Sequence, residues 1–326
     1  MDQATRVSYA FVLGLFILVG GLHITVPLIT VLFAFFALNS LSFGGRKWLG
    51  LILFSVVFLG LIWGFAYFAK QASDALPKIG QETIPKVIEY AESKGLDLPF
   101  TDFKSLRTLA MEKLQQQAAG FGAYARRAAV EMVSFVIGVV VAVSLFLSSK
   151  LDLGHHPGAV PGDLYRAVGE AVAARFRTFY ESFATVMGAQ LVISAINTAL
   201  TSVFLLWNHY PHLGVLLAMT FLSGMLPIIG NLASNALIIG VGFTLSPTVA
   251  FSALVFLVVI HKFEYFLNSK IIGDRIRNPM WLTLLGLVLG ERLLGIPGMI
   301  LAPVVLHYVK LEASRITAGK ARVEEV

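Results

Sequence analysis

Two stretches decide how this chain folds: Leu213–Phe243 (LGVLLAMTFLSGMLPIIGNLASNALIIGVGF) and Met280–Lys310 (MWLTLLGLVLGERLLGIPGMILAPVVLHYVK). Each runs to about 30 residues, whereas a helix needs roughly 20 to cross a bilayer. The first is interrupted by Pro227-Ile228-Ile229-Gly230-Asn231. The second is interrupted by Gly290-Glu291-Arg292-Leu293-Leu294-Gly295-Ile296-Pro297-Gly298. Broken backbone at membrane depth is tolerated only where protein buries it or where it lines a water-filled cavity. A solute pathway is therefore the leading expectation.

Composition supports a membrane setting. Of the 326 residues 57% are hydrophobic and 13% charged, and the mean hydropathy is +0.79. A soluble domain carries nearer about 25% charged residues. The formal charge of +6 then reads as orientation and lipid contact, since Lys and Arg gather in cytoplasmic loops. The basic residues are dispersed, with no aromatic-studded basic stripe, so nucleic acid is not an expected partner. The chain has no Cys, which removes disulfides and thiolate metal sites without fixing the compartment. Arg6 precedes the first apolar run as in a signal peptide, but no small-residue cleavage site follows, so an uncleaved first helix is expected.

Along the chain, residues 1–69 read as three N-terminal spans: Val7–Leu22, a turn at His23–Pro27, Leu28–Phe43, the charged break Gly44-Gly45-Arg46-Lys47, and Trp48–Ala69. Residues 70–127 hold 9 Lys/Arg and 7 Asp/Glu and read as an extracytoplasmic helical insert continuing the neighbouring spans. Thr83 and Pro85 would open a short helix that Gly95 closes. A second would follow Thr101 or Asp102 with its stripe Phe103, Leu106, Ala110, Leu114, Ala118 and Phe121. Residues 128–182 would hold the fourth span and a cytoplasmic amphipathic helix from Asp163. Residues 183–310 would form the transport core, two units of one span plus one broken stretch. Residues 311–326 would be a cytoplasmic tail.

Charge bias chooses the topology. If each broken stretch crossed the membrane once, the connector with Lys270, Arg275 and Arg277 would face outward. If each is a re-entrant hairpin, 15 of the 25 basic residues lie inside and the short outer turns carry none. The long insert holds 9, but long loops translocate largely regardless of charge. The units Phe183–Phe243 and Thr248–Lys310 would then hang in opposite orientations, as in an inverted repeat with its site between the broken elements. The expected fold is all-α: a polytopic membrane protein of eight hydrophobic segments, two of them hairpins, with both termini cytoplasmic.

Candidate pathway residues follow from that arrangement. At Pro227, Gly230 and Asn231 the freed backbone groups can hold a polar solute, or the break can be a kink between packed helices. Asn235 lies one turn from Asn231. Glu291 and Arg292 sit at the second break; an intramembrane pair is functional by default, unless the two pair with each other near an interface. If Glu291 is buried and unpaired, its raised pKa would suit proton coupling. Glu264 and Asn268 share a helical face and either line a polar route or clamp the connector after them. Gln190, Asn197 and Thr201 fall at near-helical spacing, explained equally by interhelical hydrogen bonds or solute contact. His155-His156 lack a third ligand nearby, so no metal is expected. No Gly-x-x-x-x-Gly-Lys-Ser/Thr, Gly-x-Ser-x-Gly or His-Glu-x-x-His element occurs, so neither a nucleotide motor nor an enzyme is expected, and no cofactor.

Several motifs carry a family resemblance across nearly the whole chain. They are Phe33-Ala34-Phe35-Phe36-Ala37-Leu38-Asn39 before Arg46-Lys47, Leu226-Pro227-Ile228-Ile229-Gly230, Glu264 through Gly273 with Asn278-Pro279, and Gly290 through Pro303. The pattern resembles the autoinducer-2 exporter family of permeases. Asn231 and Ser269 stand where that family commonly has proline, and Glu291 where it has a second glycine. The resemblance implies a bacterial inner-membrane transporter associated with autoinducer-2 export, and in some members with sodium–proton exchange. Three functions stay open: a secondary permease for a small polar solute, a cation–proton antiporter using Glu291 or Glu264, and a scaffold whose insert binds an envelope partner. Short spans and small residues invite helix–helix contacts and hence a homo-oligomer.

Overall fold

The computed structural model describes residues 3–22, 24–93, 121–148, 164–226, 229–272 and 279–324. Every element there is helical. In chain order they are α1 (Gln3–Gly21), α2 (Thr25–Leu41), a short 3-10 turn (Phe43–Gly45), α3 (Lys47–Ser93), α4 (Phe121–Leu147), α5 (Leu164–Trp207), α6 (Leu213–Gly224), α7 (Ile229–Leu245), α8 (Pro247–Ile272), α9 (Met280–Leu294) and α10 (Ile296–Glu324). Among the described residues six helices, α1, α3, α4, α5, α8 and α10, are long and apolar enough to cross a membrane. The chain divides into two compact units. One comprises Met1–Val57, Ala129–Gly188 and Arg275–Val326, the other Phe58–Ala128 and Ala189–Asp274. The divisions at 57 and 188 fall inside α3 and α5.

Both anomalous stretches are broken helix pairs. In the first, α6 has 12 residues, about 18 Å at 1.5 Å per residue, well short of a bilayer core of roughly 30 Å. Gly230, at the start of α7, lies against the backbone of Ser223, where any Cβ would overlap the carbonyl. Only glycine lets α7 fold back so tightly. The second pair turns at Gly295 (φ 66, ψ −148), a conformation open to glycine alone. Across that turn Gly290 and Gly298 face each other with no room for a Cβ on either, and Gly286 packs on Ala302 and Leu306. That register makes α9 and α10 antiparallel. The halves are unequal: α9 has 15 residues, whereas α10 is long and apolar enough to cross a membrane.

In the second unit, α6, α7 and α8 pack with the ends of α3 and α5. Leu205, Val215, Leu216, Ile238, Val241, Ala253 and Leu257 form its centre, joined by Ala72, Ala75 and Ile79 of α3. Pro247 occupies the first position of α8, where its missing N–H costs nothing, and Ser246 caps it by accepting from Val249 N at 3.1 Å. In the first unit, Phe179, Phe183, Val186 and Met187 of α5 meet Leu32 of α2 and Leu301, Val304 and Tyr308 of α10. Edge-on ring pairs reinforce this core, Phe33 with Phe183 at 5.0 Å and Phe16 with Phe179 at 5.2 Å.

Two boundaries depart from the sequence reading. Thr83 and Pro85 do not open a new helix: α3 runs through Pro77 and Pro85 to Ser93. Each proline forfeits one backbone bond, but packing outweighs the loss. Ala72, Ala75 and Ile79 are buried in the second unit's core, Lys86 Nζ donates to the Thr244 carbonyl, and the Tyr90 ring lies tilted against Phe243 at 5.4 Å. Likewise the amphipathic helix and fifth span are one helix, α5, with no break near Phe183. Gly95, Thr101, Asp102 and the expected second insert helix from Phe103 to Ala118, together with His23, His155-His156 and Asp163, lie outside the described residues.

Candidate solute site

One face of α5 carries Gln190, Ser194, Asn197 and Thr201, spaced four, three and four residues apart as a helical stripe requires. The first two serve the broken backbone. Ser194 Oγ donates to the Phe221 carbonyl at 2.7 Å and Gln190 Nε2 to the Gly224 carbonyl at 2.5 Å. These carbonyls belong to the last turn of α6, whose acceptors the break strips of intrahelical donors.

The other two line a cavity of about 20 Å³, with Thr220 of α6, Ser234 and Asn235 of α7, and Leu257, Ile260, His261 and Glu264 of α8. A space of roughly 10–15 Å³ suffices for one water, so this one takes a water or a single small ion. Asn197 is only 7% exposed, yet its side-chain carbonyl Oδ1 has no hydrogen-bond partner. A buried unpaired acceptor is costly, and here it borders a void of matching size. Glu264 is 12% exposed, with His261 Nδ1 3.6 Å from its carboxylate. Amide and hydroxyl oxygens beside one carboxylate suit water or a hard cation. At the far end of α5, burial pushes the Tyr210 phenol up to about 12; its hydroxyl too is unpaired.

The first unit buries charge differently. Glu312 of α10, 5% exposed, accepts from Tyr9 Oη at 2.8 Å and from Arg175 at 3.1 Å. Arg315 stands 3.8 Å away and donates to Thr178 Oγ1 at 2.6 Å. The Arg175 guanidinium lies 4.4 Å over the Tyr9 ring. This clasp fastens α10 to α1 and α5. It lies within residues read from the sequence as a tail (Glu312), an interfacial helix (Arg175) and a first span (Tyr9), and nothing local in those segments announces it.

The expected pathway residues divide accordingly. Asn197, Asn235 and Glu264 line the cavity, Gln190 caps the broken helix beside it, and Gly230 makes the close turn. Asn231 and Asn268 lie in α7 and α8. Pro227 lies outside the described residues. Glu291 and Arg292 belong to the other unit, in the last turn of α9, 54% and 83% exposed and 4.0 Å apart. The condition set for a proton role at Glu291, a buried unpaired carboxylate, is not met. Ser194 was missed, although the spacing from Gln190 through Thr201 marks it. Among the described residues, no group of three His, Asp or Glu converges as a metal site requires.

Comparison with known proteins adds three findings. A family described as AI-2E family transporter matches residues 7–311. A Bacillus subtilis (strain 168) protein named "Putative transport protein YdbI" is 28% identical over 173 residues, 52% of this chain and 49% of that protein. The match thus spans about half the length of each. No solved structure matches the chain.

Proposed function

Because this chain belongs to the AI-2E transporter family, we propose that it is a secondary permease moving a small polar solute through a route that includes the polar cavity of α5–α8. The observation that carries this is the buried, unpaired Asn197 carbonyl facing a water-sized void beside a broken helix. Gln190 and Ser194 satisfy the broken backbone, so the break needs no solute for stability and can present one. The re-entrant placement of both hairpins and their inverted relation belong to the same proposal. So does a bacterial inner-membrane location with cytoplasmic termini, supported by the charge bias of the short loops. Autoinducer-2 is one solute class that the family name suggests.

Cavity size favours a second reading, exchange of a monovalent cation against protons. About 20 Å³ accepts one bare ion, whereas a sugar-sized solute would need the hairpin to open. Glu264, nearly buried beside those oxygens, would be the shared carboxylate. Purified protein in vesicles separates the two: pH-gradient-dependent sodium uptake supports exchange, and counterflow of small polyols or sugars supports the permease. Absence of both fluxes would refute transport through this cavity. The topology is checked in the Cys-free chain with the single substitutions His209→Cys, in the exposed turn beside the buried Tyr210, Leu245→Cys and Ile272→Cys. An impermeant thiol reagent applied outside should label the first two; labelling of the third would sink the hairpin arrangement.

A further inference from the structure

The first unit contains a second cavity of opposite character. Its volume is about 560 Å³, within the range of small-molecule sites. Its walls are apolar side chains of α1 and α2, closed by Phe176 and Phe179 of α5. Charge enters from α5 alone, through Arg175, Arg177 and Glu181. Arg175 is occupied by Glu312. Arg177 and Glu181 are one helical turn apart, yet among the described residues no ion pair or hydrogen bond engages either side chain.

Both side chains are exposed, on the stretch read from the sequence as a cytoplasmic interfacial helix, where the adjoining leaflet offers lipid phosphate to a basic side chain. Glu181 makes the converse demand. A purely anionic headgroup would set a second negative charge against its carboxylate, and a quaternary ammonium has no N–H to donate. A headgroup bearing both phosphate and primary ammonium answers both side chains at once. We infer that this groove holds an aminophospholipid, its acyl chain on the apolar walls, its phosphate on Arg177 and its ammonium on Glu181. The inference is independent of the solute site, which lies in the other unit.

Native mass spectrometry of the full-length protein, titrated with phosphatidylethanolamine, phosphatidylglycerol and phosphatidylcholine of matched chains, tests it. Wild type should retain phosphatidylethanolamine at least fivefold over the other two. Arg177→Ala should lower retention of all three at least fivefold. Glu181→Gln should bring phosphatidylethanolamine down to the phosphatidylcholine level while total lipid binding persists. Arg166→Ala, on the same helix but paired at the surface with Glu170 at 3.0 Å, should change nothing. If Arg177→Ala does not yield folded protein, Glu181→Gln decides alone. Equal retention of the three lipids, preference for phosphatidylglycerol, or no response to Glu181→Gln would overturn the inference. So would disulfide cross-linking of two copies through Val31→Cys in the groove wall, which would make the groove an interface between chains.

Discussion

The two units bury polar groups in contrasting ways. Around Glu312 in the first, charge is clamped: Tyr9, Arg175 and Arg315 converge on one carboxylate from three helices. Around Asn197 in the second, oxygens from four helices surround a void, and one of them has no partner. A paired buried charge is held in place and resists change, because removing one partner strands the other. An unpaired acceptor beside a void leaves the folded state one ligand short. Glu312 Oε1 and Arg175 Nε also lack hydrogen bonds, but their charges are compensated, and that compensation separates a structural cluster from a candidate site.

The largest expected effect falls on the clamped side. Arg175→Met should lower stability by about 3–5 kcal/mol, the cost of stranding a buried charge, read as a fall in melting temperature. Next comes the support of the break. Ser194→Ala leaves the partly buried Phe221 carbonyl without its donor and should cost about 1–3 kcal/mol, with hydrogen exchange at α6 rising before that of α8. If Ser194→Ala proved as costly as Arg175→Met, the two units would not differ as described. The acid of the cavity should behave otherwise. Glu264→Gln should leave the melting temperature nearly unchanged while cutting flux about tenfold, about 1.4 kcal/mol of differential interaction.

The smallest effect concerns Tyr210. Its raised pKa, about 12 against about 10 for a free phenol, means that folding favours the neutral form. The associated stability is complete below about pH 10 and is lost as pH rises toward 12. Tyr210→Phe should abolish that alkaline loss and shift stability at neutral pH by under about 0.5 kcal/mol, since the hydroxyl is unpaired. Spectrophotometric titration with melting at pH 10 to 12 checks both.

How much of this was legible depends on where the signal resides. Gly295, Pro247 and the break after Gly224 are local punctuation, and the sequence marks each through glycine or proline chemistry. The passage of α3 through Pro77 and Pro85 was hidden because tertiary packing of Ala72, Ala75 and Ile79 overrides a local breaker. The stripe Gln190, Asn197 and Thr201 was visible as spacing, though its division into caps and cavity wall depends on where α6 stops. Glu291 attracted notice because charge in an apolar run is unusual, but its position in the last turn of α9 leaves it exposed beside Arg292. Tyr9 and Glu312 stand 303 residues apart, and no spacing rule reaches that far.

Flux in vesicles of Asn197→Ala against Glu291→Gln, at equal amounts of folded protein, tests the central claim most directly. Asn197→Ala should lose at least tenfold in whichever solute assay wild type supports, and Glu291→Gln should change less than twofold. Normal flux in Asn197→Ala with collapse in Glu291→Gln would contradict that claim, and would move the site to the tip of the second hairpin.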